Sequence, residues 1–245
     1  MINNKISVIT INLNNLEGLK KTVESVLNQD YPNLEYLVID GESKDGSQEY
    51  LQAQVSGIDY LLCEKDSGVY EAMNKGIKNA TGDYLIFLNS GDFFESSKSL
   101  SKLIQQSNGE NLVFGDIEVV ESEGSYVKKY PDGLSFRYFY YDSLPHPACL
   151  ISKSLFDEIG MYDTEMKIAS DWKFFMLAVI KGGCSYRHVP EVISVFDAQG
   201  MSSSPSNSDA LERERRHTLK RYFNINYKFY SIYLKVLRKS FYKKI

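Results

Sequence analysis

The chain has 245 residues, 43% of them hydrophobic and 24% charged, which suits one large α/β domain or a domain with an appendage. Its net charge of −4 argues against a dedicated nucleic-acid binder, yet no acidic residue follows Glu214, while Lys220, Arg221, Lys228, Lys235, Arg238, Lys239, Lys243 and Lys244 do. Cys63, Cys149 and Cys184 are odd in number and lack C-x-x-C spacing, which points to reduced thiols in a cytoplasmic protein and away from a disulfide frame or zinc site.

In chain order, "MINNKISVITINLNN" holds too short an apolar run for a signal peptide or membrane span. The runs "ISVITI" (6–11), "LEYLVI" (34–39), "YLLC" (60–63) and "YLIFL" (84–88) are apolar without alternation, as strands covered on both faces by helices are. Leu16, Leu19, Val23, Val26 and Leu27 recur at helical spacing between the first two, with Asn14 or Asn15 as N-cap. Ala72, Met73, Gly76, Ile77 and Ala80 form a second helical stripe. Alternation of this kind predicts right-handed βαβ units and a parallel sheet through residue 105.

Further on, "NLVFGDIEVV" and "SYVKKYP" read as strands of a hairpin turning at Glu121–Gly124. A helix follows "LISKSLFDEIG", and a stronger one begins near Ser170, with Trp172, Phe175, Leu177, Ala178 and Val179 mostly inward. "GMSSSPSNSD" reads as a flexible loop. The expected organisation is a catalytic domain over 1–198, a loop over 199–209 and a basic, aromatic helical tail over 210–245. That tail suits either an anionic membrane surface or packing on protein, including a homodimer.

Open parallel sheets bind ligands beyond the carboxyl ends of their strands. Here those ends carry Asn12 and Asn14; Asp40 and Asp45; Glu64 and Asp66; and Asn89 and Asp92. So many acids in one cleft need a cation or hydrogen-bond donors as compensation, although Asp, Asn, Gly and Ser also favour plain turns.

These stretches resemble family 2 nucleotide-sugar glycosyltransferases over almost all of residues 5–198. "SVITINLNN" is similar to that family's opening strand and loop, and "VIDGESKDGS" to its V-D-D-G-S-x-D-G-S/T element. "EKDSGVYEAMNKGIKNATGDYLIFLNSGD" resembles the block leading into the metal motif, while "LPHPACLISKSLFDEIGMYD" and "ASDWKFF" resemble the acceptor side and its catalytic acid. The resemblance implies the A-type glycosyltransferase fold, a Rossmann-like, mainly parallel sheet flanked by helices. It also implies an inverting transfer from a nucleotide-diphosphate sugar, UDP being the expected nucleotide, to a hydroxyl of a glycan or lipid-linked acceptor in surface polysaccharide synthesis.

On the matching positions, Asp92 is the metal carboxylate for Mg²⁺ or Mn²⁺, and Asp171 is the base that takes the acceptor proton. Asp40 is placed to bond the base of the nucleotide, Asp66 lines its pocket, and Asn12 lies in the loop touching it. Asn89 faces a ribose or a metal-bound water, and His146 lines the acceptor or phosphate site. Structural roles stand beside these: an Asx-turn for Asp40, an N-cap for Asp171, simple packing for His146. The sequence departs from the family pattern at Asn89-Ser90-Gly91-Asp92 in place of D-x-D, at Gly41, at Met73 and at Ser170.

Such a protein would be cytoplasmic, or peripheral on the inner face of the cell membrane. A sugar-nucleotide pyrophosphorylase would share the α/β core, but "INLNNLEGLKK" lacks the Gly-rich basic loop it needs. A non-catalytic nucleotide-sugar-binding module would match the thinned acidic motifs, and retention of Asp92 and Asp171 argues against it.

Overall fold

The structure is a computed structural model that describes residues 4–198 and 207–229. Its organising strands are β1 (Ile6–Asn12) and β2 (Leu34–Asp40), nearly every residue of which is buried. That is why both read as unbroken apolar runs. β1 pairs in parallel with β2 on one side and with β4 (Tyr84–Phe87) on the other; β2 pairs in parallel with β3 (Tyr60–Cys63). The crossovers carry α1 (Leu16–Leu27), α2 (Ser47–Ala53) and α3 (Val69–Asn79). Asn15 is the N-cap of α1, its Oδ1 accepting from Gly18 N at 3.1 Å.

After β4 the sheet becomes mixed. β5 (Phe93–Phe94) and α4 (Ser99–Gln106) precede β6 (Leu112–Glu121) and β7 (Gly124–Lys128). The last two form the expected hairpin, with Glu121 opposite Gly124. α5 (Phe136–Tyr141) leads to β8 (Cys149–Ser152) and α6 (Ser154–Ile159). The helix expected to follow "LISKSLFDEIG" therefore lies within that stretch, whose first residues are a strand. α7 (Ser170–Met176) runs into a π-helical turn at Leu177–Lys181, and β9 (Tyr186–Asp197) and α8 (Ser208–Tyr222) complete the described chain.

Strand order is β3-β2-β1-β4-β8-β6-β9-β5, with β7 on the flank of β6. β8 enters antiparallel between β4 and β6, while β6 and β9 run parallel. An aromatic cluster of Phe87, Phe156, Tyr162 and Phe174 ties α6 and α7 to the sheet, the Phe156 and Phe174 rings stacking 4.5 Å apart.

α8 begins at Ser208, inside the span expected to be loop, and packs Leu219 and Phe223 into the same core. Lys173 and Lys181 of the domain lie over the Tyr222 ring, so at the start of the basic aromatic segment an aromatic side chain serves packing on the domain itself. Residues 199–206 of the expected loop and 230–245 of the expected tail lie outside the described residues. Among the described residues, no helix is long and apolar enough to cross a membrane.

Candidate active site

The carboxyl ends of β1, β2, β3 and β4 gather the predicted residues into two clusters. The first contains Asn12, Asp40 and Asp66. Asp40 is fully buried, and its carboxylate accepts Ser43 N at 2.8 Å on one oxygen, and Ser43 Oγ and Asn12 Nδ2, both at 2.7 Å, on the other. This is the Asx-turn geometry, built from the short spacing between Asp40 and Ser43. Asn12 Oδ1 is buried with no partner.

Asp66 is the more accessible acid here, and it folds over Gly41: a Cβ on Gly41 would meet Asp66 Oδ2 at 2.8 Å. Glycine at this position thus makes room for the Asp66 carboxylate. Burial raises the Asp66 pKa above the ordinary carboxylate value, and the Glu71 and Asp40 charges add to it. Met73, which departs from the family pattern, is a core side chain of α3.

The second cluster is assembled from distant parts of the chain. The loop after β4 turns at Gly91, whose φ of 111° belongs to the region that favours glycine. α1 pins this loop: Thr22 Oγ1 donates to Asp92 O at 2.7 Å and accepts from Gly91 N at 3.0 Å, and Asn15 Nδ2 donates to Ser90 O at 2.9 Å. The β1–α1 loop therefore touches both clusters, through Asn12 in one and Asn15 in the other.

Asp92 is buried, and its Oδ2 lies 3.9 Å from His146 Nε2. On the other side of the ring, His146 Nδ1 lies 3.5 Å from Asp171 Oδ2. Tyr70, from the first turn of α3, donates its hydroxyl to Asp171 Oδ1 at 2.9 Å. Asp171 is the second residue of α7 and Ala169 takes the N-cap position; the Asp171 carboxylate faces His146 and Tyr70 and also draws on the Trp172 backbone N–H of its own first turn.

Charges in this cluster shift one another in opposite directions. Burial pushes Asp92 up to about 6, with the Asp197 carboxylate adding to the shift and His146 opposing it. For Asp171 burial acts upward too, but the His146 and Tyr70 contacts outweigh it and hold the carboxyl below its ordinary value. Burial alone would lower His146; Asp171 and, less strongly, Asp92 outweigh it and raise the imidazole. Asn89 Nδ2 lies 3.2 Å from His146 Nε2, and Asn89 Oδ1 is buried without a partner. A half-turn of that amide would let Oδ1 accept from an imidazolium, satisfying both groups.

These residues fit a divalent cation. Asp92 and Asp197 place two like charges together at a buried site, a neutral oxygen of Asn89 lies nearby without a partner, and Asp197 N bonds Asp92 Oδ1 at 3.3 Å. Among the described residues, no group of three or more His, Cys, Asp or Glu side chains stands ready to hold an ion. Mg²⁺ commonly takes one or two carboxylates and completes its octahedron with phosphate and water oxygens, so the sparse set matches that chemistry.

Sequence reasoning brought Asn89, Asp92, His146 and Asp171 forward, and the structure places them together. It missed Tyr70, Asp197, Glu214 and Arg215. Tyr70 had a signal of position, opening α3 beside the Asp66 loop; Asp197 had none, because the strand it closes was not read from the sequence. Glu214 and Arg215 had none, because α8 was expected to lie outside the domain.

Comparisons with known proteins place the chain in a family. Residues 7–158 match the model of "Glycosyl transferase family 2". A Mycobacterium tuberculosis protein described as an uncharacterized glycosyltransferase is 36% identical over 206 residues, covering 81% of this chain and 77% of its own. A Mycobacterium bovis PGL/p-HBAD biosynthesis glycosyltransferase is 25% identical over 215 residues, covering 84% and 82%.

Among solved structures, Staphylococcus aureus TarS 1–349 in complex with UDP-GlcNAc superposes with a TM-score of 0.68 at 19% identity, over 88% of this chain and 66% of that one. A Pyrobaculum calidifontis mannosyltransferase in complex with GDP-Man and Mn²⁺ gives 0.61 at 17% identity, over 87% and 61%. The chain thus spans less than two thirds of these solved chains. At such identities the likeness shows the shared fold.

Proposed function

The chain belongs to glycosyl transferase family 2, and from that premise we propose an inverting, metal-dependent transferase with Asp171 as its base and Asp92 as its metal carboxylate. The observation that carries this reading is the placement of Asp92 and Asp171 on opposite nitrogens of His146, at 3.9 and 3.5 Å. One acid is held ionised by its neighbours; the other is buried beside a second carboxylate and needs a cation. Two carboxylates with environments pushed apart have separate roles.

The donor is a nucleotide-diphosphate sugar, with UDP as the nucleotide. Support comes from the UDP-GlcNAc and GDP-Man complexes of the solved neighbours, the former at the higher TM-score. In the reaction the acceptor hydroxyl attacks the anomeric carbon while the bond to the diphosphate breaks on the opposite face. Its proton passes to an oxygen of Asp171, which the lowered pKa keeps available as a base at neutral pH. Tyr70, bonded to the other oxygen, sets the direction of the carboxylate. Asp92, with Asp197 beside it, would hold Mg²⁺ or Mn²⁺, and the ion when bound supplies positive charge to the departing diphosphate.

Asn12, Asp40 and Asp66 form the nucleotide end, Asp66 presenting the accessible carboxylate and Asp40 shaping the loop beneath it. Asn89 borders the ribose or metal-bound water, and His146 divides the acceptor side from the phosphate side. The acceptor is a glycan or lipid-linked hydroxyl in surface polysaccharide synthesis, met by a protein peripheral on the membrane.

Asp171→Asn tests the reading. Turnover should fall by about 10²–10⁴, the usual worth of a general base, with donor affinity near that of the unaltered protein. Loss of donor binding in place of turnover would remove Asp171 from the base role. Because its folded pKa lies below the ordinary 3.8, the acid limb of turnover that belongs to Asp171 should lie below that value.

A further inference from the structure

Asp171 sits at the start of α7, and the segment Lys167–Ala169 delivers the chain to it. Three successive backbone N–H groups of that segment donate to one carboxylate, that of Glu214 on α8. Lys167 N reaches Glu214 Oε1 at 2.7 Å, and Ile168 N and Ala169 N reach Oε2 at 3.1 and 3.0 Å. These groups precede the helix and have no intrahelical acceptor, so a carboxylate here does for them what no local residue does. Its negative charge also lies at the positive end of α7.

The next residue on α8 acts on the other side of Asp171. The Arg215 guanidinium lies 5.1 Å from the centre of the Trp172 ring, and Nη1 donates to Tyr141 O at 3.4 Å. Trp172 itself is buried and donates Nε1–H to Phe139 O at 2.7 Å. Asp171 is therefore bracketed, with the backbone before it held by Glu214 and the side chain after it covered by Arg215. α8 has the footing to do this, since Thr218 and Leu219 are buried against the domain.

We propose that Glu214 is a positioning residue for Asp171. By fixing the backbone of Lys167–Ala169 it aims the Asp171 carboxylate at Tyr70 and His146, and α8 is thereby part of the active site's construction. The catalytic consequence rests on the reading of Asp171 as the base.

The test compares Glu214→Ala, Glu214→Gln and Asp171→Asn in the full chain. Release of nucleoside diphosphate from UDP-GlcNAc and from GDP-mannose with Mn²⁺ gives kcat and donor KM, and amide hydrogen exchange gives protection at residues 167–171. Glu214→Ala should lower kcat by about 10²-fold, the cost of a misplacement near 1 Å, with donor KM within about twofold. Exchange should rise across Lys167–Ala169 and extend to Asp171 while the sheet keeps its protection. Glu214→Gln, which retains an acceptor oxygen, should recover part of both.

Wild-type kcat in Glu214→Ala, beside an impaired Asp171→Asn, would overturn the proposal. So would a kcat loss no larger than the fall in folded fraction on a thermal melt. If Asp171→Asn turns over normally, the base reading fails instead, and exchange at Asp171 still decides whether Glu214 holds it. That exchange also decides if neither donor is turned over: protection lost at 167–169 but kept at Asp171 overturns the positioning role.

Discussion

At the Asp40 end of the cleft, both carboxylate oxygens find donors at 2.7–2.8 Å, supplied by Asn12 and Ser43. At the Asp92 end, Asp197 N bonds at 3.3 Å, His146 Nε2 lies at 3.9 Å and the Asn89 backbone adds a further contact, while burial and a second carboxylate outweigh them. The two ends use the same side chain beyond two parallel strands, β2 and β4, that flank β1. One is satisfied by its own loop; the other, on the proposed reading, is completed by a cation brought to it. Burial of a paired carboxylate makes architecture; burial of an under-compensated one makes a binding site.

The largest effect expected from breaking this contrast is on catalysis. Asp92→Asn should abolish turnover and weaken metal-dependent binding of nucleoside diphosphate, while Asn89→Ala costs less. Wild-type activity at limiting metal would remove Asp92 from the metal site. The same variant has an opposite consequence for stability. The folded pKa of about 6 exceeds the ordinary 3.8, so the folded state binds a proton more tightly than the unfolded one. Asp92 therefore removes stability as pH rises from about 4 through about 6, by on the order of 3 kcal/mol at most. In a chelator at pH 7.5, Asp92→Asn should melt at or above the unaltered protein, and that advantage should vanish near pH 4.

Next in size is the reverse experiment at the satisfied end. Asp40→Ala takes the acceptor from Ser43 N and Ser43 Oγ and leaves Asn12 Nδ2 only its 3.1 Å bond to Ser43 Oγ, and should cost about 1–3 kcal/mol in chemical denaturation. Unlike Asp92→Asn, it should lower the melting temperature with or without metal. An Asp40→Ala protein of unchanged stability would mean that this end is not self-supporting, and that Asp40 is held there for the nucleotide alone.

This difference also explains what was legible in the sequence. β1, β2 and β4, and the helix between the first two, could be read because burial on both faces writes continuous apolar runs and helical stripes locally. Asp40 and Asp66 could be found because each sits at the end of such a run. β8 and β9 were missed: a four-residue strand slipped between β4 and β6, and a long strand set between β6 and β5, depend on pairings between distant residues. Tyr70 and Asp197 meet the site only through tertiary packing, and nothing in "GVYEAM" or "VFDAQ" announces a partner some hundred residues away. Glu214 was read as the last acid before a basic tail, which is true of composition and silent about the backbone it holds.

The smallest effect concerns that tail, where the contrast becomes one between packing and surface. Up to Phe223 the aromatic side chains engage the domain: Lys173 and Lys181 lie over the Tyr222 ring, and the Phe223 ring centre lies 5.8 Å from that of Phe136. Just beyond, Ile225 and Phe229 are 84% and 77% exposed, on a helical stretch that continues the chain toward its remaining lysines. Exposed apolar residues followed by cations suit the surface of an anionic bilayer, where each Lys or Arg contributes about 1 kcal/mol and salt screens the attraction. Truncation after Tyr227 keeps the packed helix and removes Phe229 with the later cations, so the melting temperature should hardly move. Co-sedimentation of the intact chain with phosphatidylserine vesicles should weaken as ionic strength rises, and the truncated chain should bind less. A truncated protein that melts lower or changes its oligomeric state would place the segment among the packing elements. Intact protein with no salt-sensitive vesicle binding would end the peripheral-membrane reading.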